Sequence, residues 1–332
     1  MSKVKEIKEI KRIGVFTSGG DAPGMNAALR AVVRTASYHN LHIYGISCGY
    51  EGMIEGHITR LETKDVSNII HRGGTILRTA RSAEFRTVEG RQHAYENIAA
   101  HDIEGLIAIG GNGTFTGAKF FGEEFGIPII GIPGTIDNDL YGTDYTIGFD
   151  TAVNTAIEAV DRIRDTADSH SRLFFVEVMG RNAGYIALNA GIGSGSGKIF
   201  LPEIHTTKES LLKTLKKAQK RKKLFSLMIV AEGNKSGGAQ ALAEQVQEEF
   251  AEYEPRVTII GHLQRGGSPT CMDRVLASRL GFHAVEGLLR GEKAAMCGLV
   301  NNKIRFTPFE DAITKSKPMN KDLLRMAEIL AM

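Results

Sequence analysis

A chain of 332 residues is too long for one small domain and suits two α/β domains with a sizeable core. With 42% hydrophobic and 24% charged residues it has a globular composition, which excludes wholesale disorder, and it has no apolar run of membrane-helix length. The net charge of +3 is a mild surplus compatible with phosphate handling. Three widely spaced cysteines without a C-x-x-C pair argue against a disulfide framework or zinc site and make a reduced cytosol the expected location.

Along the chain, Met1–Arg12 alternates Lys and Glu with Val and Ile and has no signal-peptide pattern. Buried strands are expected at Arg12–Thr17, His42–Ile46, Leu106–Ile109, Pro128–Ile132, Arg172–Val178, Ser226–Val230 and Val257–Gly261, several of them apolar at nearly every position. Helical patterns lie between them. The clearest runs from about Asp150 to Ala167, with Val153, Ala156, Ile157, Val160 and Ile163 on one face. A further helix, Lys208–Lys223, ends in a run of Lys and Arg, read as cations at a helix C-terminus with a solvated outer face. Gly191–Gly197 has the length of a loop. Strands alternating with helices imply doubly wound, mostly parallel sheets, in which ligands bind beyond the carboxyl ends of the strands.

Five expected strand ends carry glycine-rich or charged turns. Thr17–Asn26 follows a strand and opens a helix, so its glycines allow backbone N–H groups close to a phosphate; an ordinary tight turn is the alternative. It has neither the P-loop nor the Rossmann fingerprint. Gly110–Thr114 is a second such turn, with a hydroxyl at Thr114. Pro133–Asp139 sets Asp137 and Asp139 at spacing two, with Thr135 beside them. That pattern suits phosphoryl transfer, which needs a carboxylate for the incoming hydroxyl and charge handling around magnesium; an Asx turn with solvent-facing carboxylates is the alternative. Met179–Arg181 and His262–Gly267 complete the set. Arg172, Arg181, Arg256 and Arg265, with His262, lie near expected strand ends. Singly each reads as a surface charge; together they favour an anionic substrate.

The blocks TSGGDAPGMNAALR, PGTIDNDLYGTDYTIGFDTA, VEVMGRNAG and GHLQRGGSP occur in this order. With them the chain resembles the bacterial-type ATP-dependent 6-phosphofructokinase family from Arg12 to about Ala312. The resemblance implies two similar doubly wound, three-layer α/β/α domains: a nucleotide-binding domain of residues 1–147 plus 263–313, and a sugar-phosphate-binding domain of residues 148–262 plus 314–332. It implies that ATP and fructose 6-phosphate give ADP and fructose 1,6-bisphosphate with Mg2+. By position, Asp137 resembles the base, with Thr135, Asp139, Arg81 and Arg181 as further catalytic residues. Gly20, Arg81, Ser82, Gly111, Asn112, Gly113 and Thr114 correspond to nucleotide-binding positions, and Asn112 and Asp139 to metal positions. Thr135, Asp137, Met179, Gly180, Arg181, Glu232, His262 and Arg265 correspond to sugar-phosphate positions. Arg172 and Arg256 match residues that the family supplies from a neighbouring subunit, which implies a homo-oligomer, expected to be a tetramer. Pyrophosphate-using relatives typically carry Asp at the position of Gly113 and Lys at that of Gly134, so two glycines favour ATP.

The family's nucleotide turn reads Gly-Gly-Asp-Gly, and this chain has Asn112 there, which lacks the negative charge that a hard cation prefers. Ser82 stands where many relatives have an aromatic residue. Arg30, Arg34, Arg164, Arg221 and Lys223 match positions for regulatory phosphates, whereas Thr63 and Gly197 replace an arginine and a glutamate of that site, so a weak or altered response to ADP and phosphoenolpyruvate is expected. The alternatives are a weakly active or regulatory subunit, motivated by Asn112, and a kinase of the lipid or NAD class, which should lack the Pro133–Asp139 and Gly261–Pro269 blocks.

Overall fold

The β-branched apolar runs form the strands of two separate sheets. The computed structural model describes residues 10–168, 173–204, 211, 215–216, 226–250 and 254–331. The chain divides into two compact units: one runs up to Thr135 and adds Leu140–Gly148 and Gly266–Lys317, while the other comprises Ile136–Asp139, Phe149–Arg265 and the chain from Pro318 onward.

In the first unit the strands are β1 (Arg12–Thr17), β2 (His42–Ile46), β3 (Ile58–Leu61), β4 (Gly105–Gly110), β5 (Ile129–Pro133), β10 (Ala295–Val300) and β11 (Lys303–Pro308), numbered along the whole chain. They form one seven-stranded sheet in the order β11-β10-β5-β4-β1-β2-β3. The five inner strands run parallel, and the edge strands β3 and β11 pair antiparallel. Helices α1 (Met25–Tyr38), α2 (Gly49–Ile54), α3 (Val88–Ala100), α4 (Asn112–Phe125), α8 (Cys271–Leu289) and α9 (Phe309–Thr314) belong to this unit. A buried cluster containing Phe16, Ile98, Leu106, Phe115, Phe121 and Phe309 makes its core. Pairing of Thr17 with Ile109 and of Gly110 with Pro133 brings the carboxyl ends of β1, β4 and β5 to one edge.

The second unit has a four-stranded parallel sheet made of β6 (Leu173–Val178), β7 (Lys198–Phe200), β8 (Ser226–Ala231) and β9 (Arg256–Ile259), in the order β7-β8-β6-β9. Its helices are α5 (Phe149–Asp168), α6 (Tyr185–Gly193), α7 (Gly238–Glu249) and α10 (Lys321–Leu330). Phe175, Phe200, Met228, Val230, Leu242 and Val246 are among its buried core. Glu177 of β6 caps α7, accepting the Ala239 N–H at 2.8 Å, as suits a carboxylate at a helix N-terminus.

The expected strand Val257–Gly261 instead ends at Ile259, because Gly261 turns into the left-handed region (φ +56°) and opens a 3₁₀ turn, Gly261–Arg265. In Gly191–Gly197 the first three residues continue α6, leaving a shorter loop. Most of the expected helix Lys208–Lys223 lies outside the described residues, as do Arg172, Arg221 and Lys223. No helix among the described residues is long and apolar enough to cross a membrane.

Candidate active site

In the first unit, the turns after β1, β4 and β5 are tied together. The Ser18 N–H donates to Ile109 O at 3.0 Å, and the Gly134 N–H donates to Gly110 O at 2.9 Å. The Thr114 hydroxyl donates to Ser18 O at 3.0 Å and is buried, so it joins two turns and turns away from solvent. Gly111 precedes α4 as its N-cap without a side-chain cap, and no acid occupies the first turn. The N–H groups of Asn112, Gly113 and Thr114 therefore lie in the turn whose donors have no partner within the helix, an arrangement suited to an anion. A Cβ at Gly113 would meet nothing within 4 Å. Thr135 lies against Gly111, with its Cβ 3.6 Å from where a Gly111 Cβ would be, and its carbonyl accepts the Thr146 hydroxyl at 2.5 Å. Gly19 and Gly20 are exposed after β1.

The loop carrying Arg81 and Ser82 is tethered to the same strand end. Three residues before Arg81, Arg78 O accepts the Thr17 hydroxyl at 2.8 Å, and the Cys48 N–H donates to Leu77 O. Arg81 is exposed; Ser82 Oγ accepts the Phe85 N–H at 3.1 Å. Arg30 and Arg34 lie one turn apart on α1, and burial together with the Arg34 charge holds Arg30 below its ordinary pKa.

The second unit gathers the charged residues. Asp137 is 5% exposed and its neighbour Asn138 is left-handed (φ +54°). Burial pushes the Asp137 carboxyl up to about 6, and the Asp139 charge adds to this. Arg265 and Arg181 pull it down, and Glu232 raises it again. The charges of these four side chains therefore all bear on Asp137. Burial first, then Glu203 and Asp139, push the Tyr185 hydroxyl up to about 12. The Met179 N–H donates to Gln264 Oε1 at 2.8 Å, and Gln264 Nε2 donates to Ala152 O at 3.3 Å. The N–H groups of Gly180 and Arg181 donate to Glu232 Oε1 at 3.2 and 2.6 Å. His262 is exposed on the 3₁₀ turn that ends with Arg265.

Two arginines stand apart from this cluster. Arg256 begins the edge strand β9, is exposed and pairs with Glu254. Arg164 of α5 donates to Ser194 O, just past α6. Sequence reasoning passed over Gln264 and Tyr185. Gln264 sits inside the GHLQRGGSP block between two singled-out residues and is fully buried; no periodicity distinguishes Tyr185.

For a divalent cation, no group of three or more His, Cys, Asp or Glu side chains among the described residues could hold one. Asn112 of the first unit and Asp139 of the second each carry an oxygen of the hard type that magnesium prefers.

Parallel strands with glycine turns on one unit, and a carboxylate–arginine cluster on the other, define a two-unit doubly wound α/β protein with ligand-type strand ends. Residues 12–288 match the family model described as phosphofructokinase. The chain is 54% identical to an ATP-dependent 6-phosphofructokinase of Cytophaga hutchinsonii, covering 97% of this chain and 98% of that protein. It is 56% identical to ATP-dependent 6-phosphofructokinase 1 of Thermus thermophilus, covering 97% and 100%. Among solved structures, a Saccharomyces cerevisiae phosphofructokinase superposes with a TM-score of 0.87 at 36% identity over 91% of this chain, which spans 45% of the yeast chain. A pyrophosphate-dependent phosphofructokinase of Marinobacter aquaeolei superposes at 0.82, with 26% identity and 97% and 92% coverage. The chain belongs to the phosphofructokinase family.

Proposed function

We propose that this chain is an ATP-dependent 6-phosphofructokinase, a glycolytic phosphotransferase that converts ATP and fructose 6-phosphate to ADP and fructose 1,6-bisphosphate. The observation that carries the chemistry is Asp137: a buried carboxylate raised to about 6 and flanked by Asp139, Arg181 and Arg265. A base of that pKa is ionised at neutral pH and still accepts a proton readily. Asp137 takes the proton of the sugar's 1-hydroxyl as that oxygen bonds to the terminal phosphorus. The bond from phosphorus to the bridging oxygen breaks, and ADP departs with the electron pair. Arg181, with Arg81 on the nucleotide side, offsets charge on the phosphoryl in flight.

In this reading the nucleotide phosphates lie against Gly20, Arg81, Ser82 and Gly111–Thr114. Thr135, Met179, Gly180, His262 and Arg265 bind the sugar phosphate. Asn112 and Asp139 are the residues that would hold magnesium arriving with ATP, and the ion would supply neutralising charge. Arg172 and Arg256 reach the site of a neighbouring subunit in a homotetramer, and the exposed position of Arg256 on an edge strand that also exposes Ile259 supports that arrangement. A cytoplasmic location is part of the reading. The regulatory-subunit alternative is not favoured, because close full-length relatives are named as ATP-dependent enzymes.

The test is a coupled assay with fructose 6-phosphate, Mg2+ and, in parallel, ATP, GTP or pyrophosphate. Turnover of about 1–100 per second with ATP is expected; background rates with every donor would overturn the proposal.

Two further results follow from this chain's departures. Charged contacts are worth roughly 1.5–3 kcal/mol, so the neutral Asn112 weakens magnesium-nucleotide use by about one to two decades. Asn112→Asp should lower the Mg2+ concentration giving half-maximal rate by that factor; an unchanged Mg2+ dependence would remove Asn112 from the metal's surroundings. With Thr63 and Gly197 at the effector positions, titration of ADP or phosphoenolpyruvate against the rate should produce a shallow response. Strong sigmoidal control by either would show that the site is intact.

A further inference from the structure

Glu232 lies one residue beyond β8, and its own N–H donates to Val178 O, at the end of β6, at 2.9 Å. Two neighbouring strand ends are thereby locked in register. From that anchor its Oε1 accepts two successive backbone N–H groups, those of Gly180 and Arg181. Gly180 and Arg181 both have positive φ, +141° and +53°. An arginine adopts the left-handed region only where its surroundings hold it there. Two further contacts complete the clamp. The Ala183 N–H closes a turn onto Gly180 O at 2.9 Å, and a Cβ at Gly233 would overlap the Arg181 carbonyl oxygen, so the residue after Glu232 lets the Arg181 backbone pass close by.

We infer that Glu232 is a positioning residue: its carboxylate holds the Gly180–Arg181 backbone in the left-handed turn and so aims the Arg181 guanidinium, rather than serving chiefly as a contact to the sugar. This rests on the function proposed above. Glutamate suits the task because an ionised carboxylate oxygen accepts two converging N–H groups strongly. Glutamine keeps one carbonyl oxygen at the same reach, whereas alanine keeps none.

Two experiments test it. The first is a double-mutant cycle of Glu232 with Arg181, read as kcat/KM for fructose 6-phosphate. Misplacing a catalytic group by about 1 Å costs about 100-fold, so Glu232→Ala should lose about 10- to 100-fold in the wild-type background and less than about twofold in the Arg181→Ala background. Glu232→Gln should recover most of the loss. A full loss in both backgrounds, or no recovery by glutamine, overturns the inference in favour of direct sugar contact. Far-ultraviolet circular dichroism and a cooperative thermal unfolding transition report whether each variant folds; if alanine does not fold, Glu232→Asp takes its place in the cycle. The second experiment needs no activity: a crystal structure of Glu232→Ala. Arg181 is expected to leave the left-handed region, and retention of its positive φ would overturn the inference even if the proposed reaction proved absent. Failure of the wild-type protein in the coupled assay, by contrast, counts against the proposed function alone.

Discussion

Asp137→Asn should lower kcat by about three orders of magnitude while making the protein harder to unfold. The loss of rate follows from removing the base, since general base catalysis contributes about 10²–10⁴-fold, and an amide accepts no proton at neutral pH. The gain in stability follows from the same burial. The carboxyl is raised from 3.8 to about 6, so the folded state holds its proton more tightly than the unfolded chain does. Ionisation therefore costs nothing below about pH 3.8, and its full cost is present above about pH 6. That gap corresponds to about 3 kcal/mol as an upper bound. Asparagine never incurs it. Thermal unfolding at pH 7.5 should show a higher Tm for the variant, and the difference should vanish near pH 4. The wild-type rate should in turn rise with pH through about 6, as the base loses its proton. A variant less stable than wild type at pH 7.5 would show that the carboxylate is held by stronger contacts than its raised pKa implies.

The parts of this site that follow the chain were legible in the sequence, and the parts that depend on strand order were not. β1 and β2 have the expected bounds, because each is a short, mostly apolar run bounded by polar or small residues. Asp137 and Asp139 were visible as a pair after a strand. Edge strands left weaker signals: β11 has exposed residues at half its positions and a single buried one, Thr307, and β7 spans only three residues. The contacts of Glu232 with Arg181 and of Gln264 with Met179 join strand ends 51 to 85 residues apart. They exist because β6 lies between β8 and β9, an order that the residues do not spell out. At Thr114 the sequence shows a hydroxyl in a glycine-rich turn but not its partner: the hydroxyl bonds to the Ser18 carbonyl, which leaves the N–H as the group available to an anion. Asn112 had meaning only through the family resemblance, since an asparagine opening a helix is unremarkable by itself.

Gly113→Asp should raise KM for ATP by about 100-fold without weakening the fold. Gly113 is exposed, its φ lies outside the left-handed region, and a Cβ there would meet nothing within 4 Å, so the backbone accepts a side chain. Aspartate forms helix better than glycine by a few tenths of a kcal/mol, and a negative charge in the first turn of α4 adds about 0.3–1 kcal/mol. The same charge faces the phosphates that the turn would otherwise attract. Two unit charges 4 Å apart repel by about 4 kcal/mol at an effective dielectric of 20. Partial neutralisation by magnesium and screening by salt reduce this to about 2–3 kcal/mol, or about 30- to 150-fold in affinity. Gly134 is tighter: a Cβ there would stand 3.1 Å from Met25 Cε and 3.2 Å from Ile109 Cγ2, so a side chain at that position tests packing as well as charge. The cleaner control is Gly113→Asn, equal in size and neutral. If asparagine costs less than a tenth of the loss caused by aspartate, repulsion is responsible, as argued. Equal losses would assign the effect to bulk, and an unchanged KM in the aspartate variant would move the nucleotide away from the start of α4.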